Sequence, residues 1–314
     1  MVLVVLVALL TVASFVYNAL TAGREVSAAS LYPGPFIELN GAKVAYRTWG
    51  SHGSPIVLVH GFAESTYAWS ALGPLLGRDH RVYALDLFGF GYTQRVGPYT
   101  LDAWTNEVIS FMKAFDLKRP MIVGHSLGAA VAANVALRYP NTVAGIVLAD
   151  GDALPAGGPP SWVRSLLVNP FLTSAFRIVT GSGRMVGNIL ATAYGPSQPP
   201  VTPDLVARWV DPFKVQGSEA AIEAMVHSAA GIPGLSRSQL AQIKVPAVVI
   251  WGSEDSLDPI TAGRETARLL HTGFRLLPGA GHLSMMVDPL GFASAVEAFD
   301  ATLAGVGSHA AQHG

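Results

Sequence analysis

The chain has no cysteine. Disulfide staples, thiolate metal sites and a cysteine nucleophile are therefore excluded. Charge is also scarce: 13% of the 314 residues are Asp, Glu, Lys or Arg, against about 25% in a typical soluble domain. Basic and acidic residues nearly cancel, 20 against 21, so the chain carries no electrostatic footprint for nucleic acid. Its nine histidines show no metal-ligand spacing, and no H-E-x-x-H pattern occurs. The phosphate-binding pattern G-x-x-x-x-G-K is missing around Gly89-Phe90-Gly91, where turn geometry suffices. No metal and no organic cofactor is implied. What the chain has in abundance is apolar surface: 50% of its residues are hydrophobic and mean hydropathy is +0.39. Such a composition buries a large core and excludes disorder over most of the length.

Residues Val2 to Leu20 form an uncharged, mostly apolar stretch. A helix of about 20 apolar residues spans a bilayer, whereas the apolar core of a cleaved signal is about 7–15. Residues 1–22 are thus expected to be a single membrane-spanning anchor, with the membrane as a partner. The alternative is secretion after cleavage in the small-residue region Val26 to Ser30.

Further on, buried-strand and helix patterns alternate. Phe36 to Leu39, Asn40-Gly41 and Ala42 to Trp49 read as a hairpin, because Asn-Gly supplies the positive φ angles of a tight type I′ turn. Continuous apolar runs at Pro55–Val59, Val82–Leu85, Met121–Val123, Gly145–Leu148 and Ala247–Ile250 suit strands covered on both faces. Helical spacing appears over 101–115; 127–139 is Ala-rich with Pro140 just past its end, and 261–270 and 289–303 are further helix-like stretches. The expected fold is α/β, a mostly parallel sheet flanked by helices, built from residues 31–151 and 243–304. Residues 152–242 contain no strand-like run and are too long for a connection, so they should form an inserted helical cap. Residues 305–314 are expected to be a flexible tail.

Chemistry concentrates at strand ends. Met121-Ile122-Val123 runs into Gly124-His125-Ser126-Leu127-Gly128 and then a helix. A serine at the tip of a sharp strand–turn–helix needs glycine on either side to avoid Cβ clashes. The bare pattern would occur by chance about a quarter of the time, so its strand and helix context carries the weight. Val59-His60-Gly61-Phe62 follows an earlier strand, and the N–H groups of Phe62 and Leu127 are the candidate oxyanion donors. Asp255 follows another apolar run, and His282 lies in Gly279-Ala280-Gly281-His282. Histidine would shuttle the serine proton while a buried carboxylate holds its tautomer. Asp258 is a rival acid, and Asp150 or Asp152 offers an alternate acid position. His125 should point into the fold as a packing residue, His60 should support the oxyanion loop, and His227 could touch substrate.

On these residues the chain resembles the α/β-hydrolase fold family, in its capped esterase/lipase-like branch. The carriers are His60-Gly61-Phe62, Asp86 to Gly91, Gly124 to Gly128, Gly252 to Asp255 and Gly281-His282. The resemblance places the nucleophile on Ser126, the acid on Asp255 and the base on His282. Family members with an aspartate nucleophile, the epoxide hydrolases and haloalkane dehalogenases, are disfavoured by that serine. The implied activity is hydrolysis of a small-molecule carboxylic ester, with an apolar, acyl or lipid substrate suggested by Trp162, Phe171, Phe176 and Ile178 in the cap. Arg164, Arg177 and Arg184 are read as solvated, or else as facing an anionic membrane. A carbon–carbon bond hydrolase, an amidase or a thioesterase would share the triad, although carbon–carbon hydrolases commonly have tryptophan where Leu283 stands. A non-catalytic binding protein on the same fold would be expected to have lost a triad residue.

Overall fold

In the computed structural model, residues 2–23, 25–157, 170–228 and 231–311 are described. An amino-terminal helix, α1 (Val2–Thr21), precedes a hairpin of β1 (Phe36–Leu39) and β2 (Ala42–Trp49). Asn40 and Gly41 at its tip have φ of 53° and 79°, the positive values that a type I′ turn demands. Then come β3 (Pro55–Val59), β4 (Arg81–Leu85), α2 (Leu101–Ala114), β5 (Met121–His125), α3 (Leu127–Arg138) and β6 (Gly145–Ala149). Four helices follow: α4 (Phe171–Gly181), α5 (Gly183–Tyr194), α6 (Pro203–Val210) and α7 (Ser218–Ser228). The chain returns through β7 (Ala247–Gly252), α8 (Ile260–Leu269), β8 (Gly273–Leu277) and α9 (Pro289–Ala311). That last helix runs beyond 303, into residues expected to be a tail.

The eight strands form one sheet in the order β1-β2-β4-β3-β5-β6-β7-β8. The β1–β2 and β2–β4 pairs are antiparallel, and the other five are parallel. Every residue of β3, β5 and β6 is buried, which explains their unbroken apolar runs. Alternate side chains serve opposite faces. Val57, Val59, Ile122 and Leu148 join the cluster under α2 and α3. Ile56, Leu58, Val123 and Val147 join the cluster beneath Trp69, Phe292 and Val296. This is the mostly parallel, helix-covered sheet that the sequence predicts.

The helices between β6 and β7 lie over one end of the sheet. The Gly281 and Leu283 amides donate to the carbonyls of Tyr194 and Ala193, stitching α5 to the loop that follows β8. The Ala156–Gly157 segment pairs with Gly231–Ile232 across the base of the insertion.

The membrane-anchor expectation is overturned. Among the described residues, no helix is long and apolar enough to cross a membrane. Polar residues Thr11, Ser14, Asn18 and Thr21 follow one side of α1 at helical spacing, and the chain itself engages most of that side. The Asn18 amide donates to the Pro170 carbonyl at 2.9 Å, and the Ser174 hydroxyl donates to the Asn18 carboxamide oxygen at 2.9 Å. Thr21 accepts from Arg177 at 3.0 Å. The helix is a strap on α4, so the reading of this chain as membrane-anchored, with a membrane partner, is withdrawn. Arg177 is likewise not solvated: its side chain is 15% exposed and paired with Glu219. Arg164 lies outside the described residues.

Candidate active site

Ser126 stands between β5 and α3 with φ 51° and ψ −117°, a backbone region that L-residues rarely adopt. Three glycines permit it. A Cβ on Gly124 would lie 2.1 Å from the Gly128 carbonyl oxygen, and one on Gly128 would lie 2.1 Å from that of Val59. The third, Gly151, went unnoticed in the sequence: a Cβ there would sit 2.5 Å from the Ser126 carbonyl oxygen. The Ser126 amide donates to the Ala149 carbonyl at 2.9 Å, which fixes the turn against β6.

Asp255, beyond the end of β7, and His282, beyond the end of β8, are neighbours because β7 and β8 pair in parallel. His282 Nδ1 lies 2.9 Å from Asp255 Oδ2. The other carboxylate oxygen accepts the Leu257 and Asp258 amides, both at 2.9 Å. Asp255 thus has fixed partners, and Asp258 does not take its place. Asp258 instead lines the cavity beside the site, its carboxyl pushed up by burial against the lowering pull of His282. Asp150 is also committed elsewhere. It accepts the Gly252 amide at 2.7 Å and the Ser284 hydroxyl, and burial raises it to about 6.

Ser126, Leu127, Phe62 and His282 all border one cavity of about 690 Å³, within the usual range for small-molecule sites. Ser126 and His282 share its wall without a direct hydrogen bond; such contacts commonly tighten only when substrate binds. The Phe62 ring packs against Phe90 with centroids 5.2 Å apart. His60 donates from Nδ1 to the Gly61 carbonyl at 2.7 Å, and its Nε2 accepts the Leu87 amide at 3.0 Å. Burial lowers its pKa, so it stays neutral and braces the loop, as its position in the sequence suggests. The far walls are apolar: Phe176 and Val179 from α4, Val186 and Leu190 from α5, Trp209 and Phe213 beyond. The His227 side chain lies outside the described residues.

Two more residues escaped the sequence reading or were undervalued by it. His125 does point inward, but more than packing holds it: Nδ1 is 3.0 Å from a Glu64 oxygen and Nε2 is 2.7 Å from the His282 carbonyl oxygen. Glu64, two residues past Phe62, is 7% exposed. The sequence shows only an acid two residues past the candidate oxyanion donor; its burial emerges from the fold. Among the described residues, no cluster of His, Asp or Glu could hold a metal ion.

The profile of a family described as alpha/beta hydrolase fold matches residues 54–289. An uncharacterized protein of Mycobacterium tuberculosis is 28% identical over 88% of this chain and 82% of its own. A meta-cleavage product hydrolase from Pseudomonas fluorescens is similar in structure, with a TM-score of 0.72 and 22% identity over 86% of this chain and 98% of its own. A membrane phospholipase A gives a TM-score of 0.70 with 24% identity over 96% of this chain and 98% of its own.

Proposed function

Because this chain belongs to the α/β hydrolase fold family, we propose that it is a serine hydrolase cleaving carboxylic esters with apolar acyl groups. The Ser126 hydroxyl attacks the ester carbonyl carbon while its proton passes to His282 Nε2. Asp255 holds Nδ1–H and offsets the imidazolium charge. The oxyanion lies between the Phe62 and Leu127 amides. Collapse breaks the bond to the alcohol, which leaves with the proton from His282. Water then attacks the acyl-enzyme, gives a proton to His282, and releases the carboxylic acid and free Ser126.

The observation that carries this reading is the His282–Asp255 pair at 2.9 Å, whose histidine borders the same cavity as Ser126. The acyl preference rests on the apolar walls formed by α4 and α5. The nearby structures include a carbon–carbon bond hydrolase, so bond type is decided by assay. A fluorophosphonate probe should label the wild type and not Ser126→Ala; labelling that persists would refute the nucleophile. With labelling established, turnover of p-nitrophenyl esters identifies an ester hydrolase, and its absence alongside turnover of a vinylogous diketone would favour carbon–carbon cleavage.

A further inference from the structure

His125 ends β5, is fully buried, and has an acceptor at each ring nitrogen. Nδ1 lies 3.0 and 3.1 Å from the two oxygens of Glu64. Nε2 lies 2.7 Å from the His282 carbonyl oxygen. A carbonyl cannot donate, and an ionised carboxylate cannot either. Burial would raise the Glu64 carboxyl, but the neighbouring His125 outweighs it and holds the group below its usual range; with Glu64 ionised, both ring nitrogens carry hydrogen and the ring is an imidazolium. Its counterion does a second job: Glu64 Oε2 accepts the Gly61 amide at 2.8 Å. Gly61 has no room for a side chain, since a Cβ would lie 2.9 Å from that of Ser126 and 3.0 Å from both Glu64 Oε1 and His125 Nδ1.

One ion pair thus joins three separate pieces of chain. It reaches the candidate oxyanion loop through Gly61 and Glu64, the serine turn through His125, and the candidate base through the main chain of His282. We propose that Glu64 and His125 are positioning residues of the hydrolase site, a charged tie that keeps the oxyanion loop and His282 in register with Ser126 only while His125 is protonated. This rests on the serine-hydrolase reading above.

The tie has a definite pH limit. Burial alone would lower the His125 pKa; the Glu64 carboxylate more than offsets this and holds it at about 9. The other ionisable groups facing it are Asp150 from the end of β6, the His282 ring from the loop after β8, with centroids 4.9 Å apart, His60 from the end of β3, and Asp258 beyond β7. When His125 loses its proton, either Glu64 or the His282 carbonyl loses its donor. Turnover should then fall although Ser126, His282 and Asp255 are all intact.

The test is the pH dependence of kcat and KM on a p-nitrophenyl ester, in wild type and in Glu64→Gln, with rates normalised to sites titrated by fluorophosphonate. The variant removes the charge but keeps an acceptor for the Gly61 amide, and its carboxamide nitrogen can donate to an unprotonated Nδ1. Expected results are a wild-type alkaline decline in kcat near pH 9 and no such limb in the variant, whose neutral ring keeps both of its contacts. An unmoved alkaline limb in Glu64→Gln would overturn the proposal. If the variant does not fold, the wild type decides: kcat undiminished up to pH 10 refutes the tie, and a decline near 9 with unchanged near-UV circular dichroism supports it. Wild type that takes no fluorophosphonate at any pH would overturn the serine-hydrolase reading itself, and the proposal with it.

Discussion

Arg177 grips Glu219 with both edges of its guanidinium, Nε to Oε1 and Nη2 to Oε2, each at 2.6 Å. Its third nitrogen reaches back to α1, to the Thr21 hydroxyl and the Asn18 carbonyl. The residue is on α4, the helix that supplies Leu172, Phe176 and Val179 to the cavity. Two-pronged arginine–carboxylate pairs are stronger and more directional than single contacts.

Arg177→Ala should therefore loosen a substrate wall without touching the reacting groups. The expected cost is about 1–2 kcal/mol of stability, read by urea denaturation. KM for p-nitrophenyl octanoate should rise while kcat stays within about twofold. An unchanged KM would show that α4 needs no brace.

Ser126 predicts an order of stabilities. Its φ of 51° imposes strain of about 1–3 kcal/mol on any residue with a Cβ. Ser126→Gly relieves that strain and Ser126→Ala does not. The glycine variant should be the more stable of the two by about 1 kcal/mol, after allowing for glycine's greater freedom in the unfolded chain. Both should be inactive. Equal urea midpoints would argue that the turn stores no strain.

The cavity walls predict chain-length selectivity. Each buried methylene contributes about 0.8 kcal/mol at most, and part of an acyl chain in an open-mouthed cavity stays wet. A preference for octanoate over acetate of about tenfold to a hundredfold in kcat/KM is expected on that scale. Val186 is buried and borders the cavity. Val186→Trp should erase most of the octanoate advantage and leave acetate turnover within about threefold. Equal losses on both esters would place the acyl chain elsewhere.

Asp150 predicts a pH dependence of stability. An unfolded aspartate titrates near 4, whereas burial raises folded Asp150 to about 6 against the lowering pull of His125 and His282. Between those values the folded protein retains a proton that the unfolded chain has released. The stability held below about pH 4 is therefore lost as pH rises through 6, by about 3 kcal/mol. Asp150→Asn keeps an acceptor for the Gly252 amide and removes this titration. Its denaturation free energy should vary less than that of the wild type between pH 4 and 7, as measured in urea.

Features set by local rules could be read directly from the sequence. Asn40-Gly41 specifies its own turn, and Gly124 and Gly128 announce a tight elbow because their crowding comes from near neighbours. The nearness of Asp255 and His282 was legible because each follows a strand-like run, and successive strand ends in such a sheet share a rim. Glu64, Gly151 and Asp150 were harder, because their importance arises from chain segments distant in sequence. Gly151 matters only where β6 passes under Ser126, and Glu64 only where His125 turns inward. The amino-terminal run misled for a related reason. Hydropathy averages over a helix and misses the stripe of Thr11, Ser14, Asn18 and Thr21, which reports the docked side.

That docked helix has a practical consequence for anyone preparing the enzyme. Arg177 takes two of its partners from Asn18 and Thr21, so a recombinant product started at Ser27 to improve handling would discard them. Chain-length profiles measured on such a shortened protein would describe a different substrate wall, and should not be assigned to the full sequence.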